Sequence, residues 1–65
     1  MEISDRILNL LEKKTYGLSI EEISGILSIN RTTTSKYLLV LESRRKISVR
    51  ILGKAKLHYP RSVKL

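Results

Sequence analysis

The 65-residue chain contains no cysteine and no tryptophan, and its single histidine is His58. Without cysteine there is no disulfide framework and no thiolate for zinc or nucleophilic chemistry, which argues against a small secreted scaffold. With no cysteine and no second histidine there is no ligand set for a metal site, so His58 reads as a surface residue. No apolar run approaches the roughly 18 residues of a membrane span. Met1 is followed by Glu2 and Asp5 rather than a basic stretch, which predicts no signal peptide. There is no nucleophile elbow, phosphate loop or histidine partner for a serine, so the chain reads as a non-enzyme without cofactor, metal or small-molecule ligand. What remains is one small, folded, cytoplasmic module, since 42% hydrophobic residues exceeds what a disordered basic tail carries.

Acid is scarce in one half only. Residues 1–29 hold five acids (Glu2, Asp5, Glu12, Glu21, Glu22) against three bases, a net of −2. Residues 30–65 hold ten bases (Arg31, Lys36, Arg44, Arg45, Lys46, Arg50, Lys54, Lys56, Arg61, Lys64) against Glu42 alone, a net of +9. A formal +7 overall is therefore a near-neutral scaffold joined to a strongly basic half, the footprint expected opposite a polyanion. The plain alternative is a solvated charged face.

Helical spacing organises the first two thirds. Ser4 reads as the cap of a first helix, followed by Asp5 at its positive end; Ile3 and Leu8 form a hydrophobic staple, and Ile3, Ile7, Leu10 and Leu11 form one apolar stripe ending near Lys14. Gly17 supplies a left-handed turn after it. Ser19-Ile20-Glu21-Glu22 is a capping box with Leu18 stapled to Ile23, which starts a short second helix with Ile20, Ile23 and Leu27 inward. Asn30 caps a third helix about three residues after the second ends, which is helix-turn-helix spacing. On that third helix Thr34, Leu38 and Leu41 face the core with Tyr37 beside them. Thr32, Lys36, Leu39 and Ser43 lie opposite, with Thr33 and Ser35 on the shoulders.

Beyond Arg44-Arg45-Lys46 the period becomes two. Ile47, Val49 and Ile51 alternate with polar neighbours, Gly53-Lys54 marks a turn, and Leu57 and Tyr59 follow in a second strand that Pro60 stops. A single buried face predicts an odd-numbered loop pairing Ile51 with Leu57 and Val49 with Tyr59, leaving Arg50, Lys56 and His58 outside. The fold class is α+β, mainly α: a three-helix bundle with a helix-turn-helix, then a two-stranded β-hairpin wing. Residues 1–60 form the domain and residues 61–65 a C-terminal tail, either frayed or leading on to a further segment.

The stretch from Leu18 through Asn30-Arg31-Thr32-Thr33-Thr34-Ser35-Lys36-Tyr37-Leu38 to Leu41-Glu42, continuing to Ile47, Gly53-Lys54 and Leu57-His58-Tyr59, resembles the winged helix-turn-helix regulators of prokaryotes, of the MarR, ArsR and IclR kinds. The resemblance implies double-stranded DNA binding and transcriptional regulation, usually as a homodimer, with the third helix in the major groove and the wing at the backbone or minor groove. It implies base and phosphate contacts for Asn30, Arg31, Thr32, Thr33, Ser35 and Lys36, and phosphate contacts for Arg44, Arg45, Lys46, Arg50, Lys54 and Lys56. A further phosphate is expected at the amino end of the second helix. Arg45 and Lys46 depart from the pattern, which favours a glycine and then an apolar residue there, so the helix is expected to run on by a residue or two. Capping alone would explain Asn30, and edge protection alone the wing lysines. The competing reading is a winged helix that docks another protein, supported by Leu39 and Val40.

Overall fold

A computed structural model describes residues 2–63. Three helices, α1 (Ile3–Lys13), α2 (Ile20–Leu27) and α3 (Arg31–Ser43), are followed by an antiparallel hairpin of β1 (Ile47–Leu52) and β2 (Ala55–Pro60). This is the mainly helical winged-helix topology expected from the periodicities. Among the described residues no helix is long and apolar enough to cross a membrane.

The core is one cluster of Ile7, Leu10, Leu11, Leu18, Ile23, Leu38, Leu41 and Ile47, so every helix and β1 contribute to it. Ile3, Leu8, Ile20, Leu27 and Tyr37 close its rim. Thr34 is also fully buried, and its hydroxyl donates to the Asn30 carbonyl at 3.0 Å, which satisfies the one polar atom it brings inside. The capping box forms as the sequence predicts, with Glu22 N–H on Ser19 Oγ at 3.3 Å and Ser19 N–H on the Glu22 carboxylate at 3.1 Å. Arg6 reaches from α1 to donate to the Leu27 carbonyl at 2.9 Å, placing a cation at the negative end of α2.

Four local expectations are corrected. Helix α1 starts at Ile3, with Glu2 in extended backbone at the cap position and no side-chain cap, so Ser4 lies inside the first turn rather than capping it. Ile3 packs on the core, and that burial draws the helix start forward. Helix α3 does not run on through Arg45: it stops at Ser43 and Arg45 takes φ +59°. The Arg45 N–H bonds the Glu42 carbonyl and the Lys46 N–H the Leu41 carbonyl, both at 2.9 Å, a Schellman end with arginine standing in the glycine position. Helix α2 ends the same way, with Ser28 at φ +54° and Ile29 N–H on the Ser24 carbonyl. Arg61 to Val63 are not frayed. The Val63 N–H bonds the Pro60 carbonyl, Arg61 donates to the Arg45 carbonyl, and Ser62 donates to the Glu12 carboxylate. Residues 64 and 65 of the expected tail lie outside the described residues.

The hairpin register is the fourth correction. Ile51 pairs with Lys56, Val49 with His58 and Ser48 with Tyr59, joined by the two-residue turn Gly53-Lys54. Gly53 has φ +60° while Lys54 is not left-handed, the pattern of a type II′ turn with glycine first. The odd loop presumed one buried face, whereas both faces are covered at the base of the wing. Ile47, His58 and Pro60 are buried on one side and Tyr59 on the other. Tyr59 lies against Gly17 so closely that a Cβ there would stand 2.6 Å from the ring.

These backbone positions give stability predictions. Replacing Ser28 or Arg45 by glycine removes left-handed strain of roughly 1 kcal/mol at each site, offset in part by unfolded-state entropy, and should raise the thermal midpoint by a few degrees. Gly17→Ala adds a clash to a φ of +93° and should cost about 3 kcal/mol. Denaturant melts of the three variants measure both directions, and a destabilised Arg45→Gly would contradict the Schellman account.

Candidate nucleic-acid interface

The surface begins with the turn between α2 and α3. Asn30 Oδ1 accepts the Thr32 N–H at 2.7 Å, so the Asn30 side chain is occupied in capping. From that start the 3.6-residue period places Lys36 on the crest of α3. Thr32, Ser35 and Leu39 fall on the flank towards α2, and Val40 and Arg44 on the flank towards α1.

Arg31, Thr32, Ser35, Lys36 and Leu39, with Ile20, line an open groove of about 540 Å³. Thr33 is half-buried and is not among those lining residues, so of the two adjacent threonines Thr32 is the one presented. Arg31 makes an ion pair with Glu21 of α2 at 3.0 Å, both side chains well exposed. A pair so exposed contributes about 0–1 kcal/mol, so its partner is readily exchanged. The amino end of α2, expected to meet a phosphate, is closed by its own capping box and carries the exposed acids Glu21 and Glu22.

A second groove of about 220 Å³ joins α3 to the wing. Arg31, Ser35, Leu39 and Glu42 contribute from the helix and Lys56 and His58 from β2. Lys56 therefore shares one groove with the α2-side flank of α3, whereas Arg50 stands exposed on the opposite face of the hairpin and Lys54 at its turn. On the other flank, Lys36, Tyr37, Val40, Arg44 and Lys46 face Glu2, Ser4 and Asp5 across a groove of about 330 Å³. The six basic residues expected at phosphates are thus divided: Lys56 towards the α2 side, Arg44 and Lys46 towards the α1 side, and Arg50 and Lys54 on the projecting wing. Arg45 is exposed, and its carbonyl is held by Arg61.

His58, read from the sequence as a surface residue, is 4% exposed. Its Nδ1 lies 2.8 Å from the Leu18 carbonyl, and because a carbonyl only accepts, Nδ1 carries the proton. No local signal discloses this, because the bond joins residues 40 apart. Burial depresses the imidazole pKa below its ordinary 6.5; Lys56 adds to the lowering, while the Leu18 hydrogen bond and Glu42 oppose it. Among the described residues no group of three or more His, Cys, Asp or Glu side chains is placed to hold a metal ion. No protein-family model matches the sequence, and no curated protein matches it.

The His58 environment fixes the sign of a pH effect. A folded pKa below 6.5 means that the unfolded chain binds the proton more readily, so the stabilisation is complete above about pH 6.5 and is lost as pH falls through the folded value. Melting midpoints followed from pH 7.5 to 5 should fall, and His58→Gln should flatten that slope. An unchanged slope in the variant would assign the acid sensitivity elsewhere.

Proposed function

We propose that this chain is a winged helix-turn-helix domain that binds double-stranded DNA sequence-specifically, as prokaryotic transcriptional regulators do, in the cytoplasm and as a homodimer. One observation carries the reading: Lys56 of the wing and Arg31, Ser35 and Leu39 of α3 line a common groove, so wing and helix address one surface. A helix crest of small hydroxyls and one lysine suits base edges, and residues 43–63 of the same half hold seven Lys and Arg with no acid.

In this reading Lys36 at the crest and Thr32 and Ser35 on the flank beside it enter the major groove, where short side chains let the helix approach the base pairs closely. Arg31 exchanges Glu21 for a phosphate. Lys54 and Lys56 neutralise the backbone beside the wing, and Arg44 and Lys46 follow the strand on the other flank. The amino end of α2 is not assigned a phosphate, because Glu21 and Glu22 would repel it. The exposed Leu39 and Val40 favour a second reading, a protein-docking winged helix, against which the surrounding charge weighs.

Titration of duplex DNA by fluorescence anisotropy at several salt concentrations tests the proposal. Neutralising about six phosphates gives a slope of log K against log salt near −5. Lys54→Ala with Lys56→Ala should weaken binding to every duplex alike and lower the slope by about 2. Thr32→Ala or Lys36→Ala should change sequence preference at roughly 1–3 kcal/mol per affected base pair. Absence of a salt-dependent complex would remove the DNA reading and leave protein docking.

A further inference from the structure

The tip of the wing carries two aliphatic side chains with nothing to cover them. All seven residues from Arg50 to Lys56 are exposed, Ile51 at 70% and Leu52 at 47%. The observed register places Ile51 and Lys56 on one face of the hairpin and Leu52 and Ala55 on the other, so both faces of the tip are apolar next to the turn. A single exposed aliphatic residue is ordinary, but here each face of the most projecting element ends in one, Ile51 on one and Leu52 on the other. Around them stand Arg50, Lys54 and Lys56, and the whole hairpin from residue 47 to 60 contains no acid.

Resting on the DNA reading above, we infer that the wing tip is a minor-groove wedge: Ile51 on one face of the hairpin and Leu52 on the other press the two groove walls apart, loosening the base step beneath the turn, while Arg50, Lys54 and Lys56 hold the phosphates on either side. Dimensions support the assignment. The last covered pair is Val49 with His58, and three further residues at about 3.4 Å each project the tip by roughly 10 Å, against a minor-groove depth of about 7.5 Å. Two strands about 4.8 Å apart with side chains on both faces overfill a groove about 6 Å wide, so seating the tip requires the groove to open. A minor groove spread by an apolar wedge kinks the duplex towards the major groove and partly unstacks the step beneath it. Steps that unstack easily, TA above all, are the expected sites. A second copy of the chain is a poorer occupant, because tip-to-tip packing would bring two acid-free, triply cationic hairpins together.

The test uses a duplex with a donor and acceptor dye at its ends and 2-aminopurine at one central TA step, comparing the wild-type chain with the double variant Ile51→Ser, Leu52→Ser. Both residues are exposed and outside the core cluster, so the variant keeps its fold, which circular dichroism checks. The wild type should shorten the end-to-end distance by a bend of about 20° or more and brighten the 2-aminopurine. The variant should keep the salt slope, bind within about tenfold of the wild type, and lose both signals. The wedge is overturned by a variant that bends the duplex as the wild type does, or by 2-aminopurine that stays dark at saturation with the wild type, a readout that needs no variant. It is overturned equally by a wild-type dimer that the substitutions disperse, which would make the tip a contact between copies. Failure of the wild type to bind any duplex removes the DNA reading itself and the wedge with it, whereas binding without bending removes the wedge alone.

Discussion

Leu18 is the residue through which the wing is joined to the helical body. Its side chain is buried in the core beside Ile23, while its N–H bonds the His58 carbonyl at 3.1 Å and its carbonyl accepts the His58 N–H at 2.8 Å. The same carbonyl also receives His58 Nδ1, so a three-bond clamp ties the loop between α1 and α2 to the middle of β2. A loop this deeply buried would otherwise strand two backbone groups at about 1–3 kcal/mol each. Gly17, one residue earlier, takes the ring of Tyr59, so adjacent loop residues receive opposite faces of one strand.

The other strand is secured from α3. Ile47 enters the core, the left-handed Arg45 turns the chain from helix to strand, and Arg61 beyond β2 bonds back to the Arg45 carbonyl. A hairpin attached at both strands holds a fixed direction relative to α3. That fixity holds the wing cations at set positions relative to α3, and charges held in advance lose little freedom on meeting a ligand. The two acids nearest the crest temper the positive charge: Glu21 shields Arg31, and Glu42 shares a groove with Lys56. The positive potential is thereby lowered along the α2 side of α3 and at Lys56, while Arg50 and Lys54 have no acid beside them on the hairpin.

Several features set by neighbours in sequence were readable, and those set by distant contacts were not. The Ser19 capping box, the Asn30 cap and the inward Thr34, Leu38 and Leu41 depend on three or four adjacent positions, and all form. His58 escaped because its partner is 40 residues away and is a backbone carbonyl, which no side-chain pattern announces. Arg45 escaped differently: its departure from glycine read as a longer helix, yet two Schellman bonds outweigh about 1 kcal/mol of left-handed strain. Within the candidate interface, helical period put Thr32, Ser35 and Lys36 on the presented side. The diversion of Arg31 to Glu21 depends on how α2 packs against α3, which local spacing does not specify.

The misread hairpin register and the uncovered wing tip have one origin. Alternation argued for gathering Ile47, Val49, Ile51, Leu57 and Tyr59 on a single buried face, but Gly53-Lys54 is itself the signature of a two-residue turn, and turn chemistry sets register. The Leu18 clamp confirms that register from the opposite end by fixing His58. Between these two anchors the strands have no freedom to slip, so Ile51 and Leu52 lie beyond the last covered pair. A hairpin serving only as a spacer is best finished with polar residues, because exposed aliphatics at a sheet edge invite aggregation. Here apolar surface and positive charge occupy the same few residues, and any partner must satisfy both.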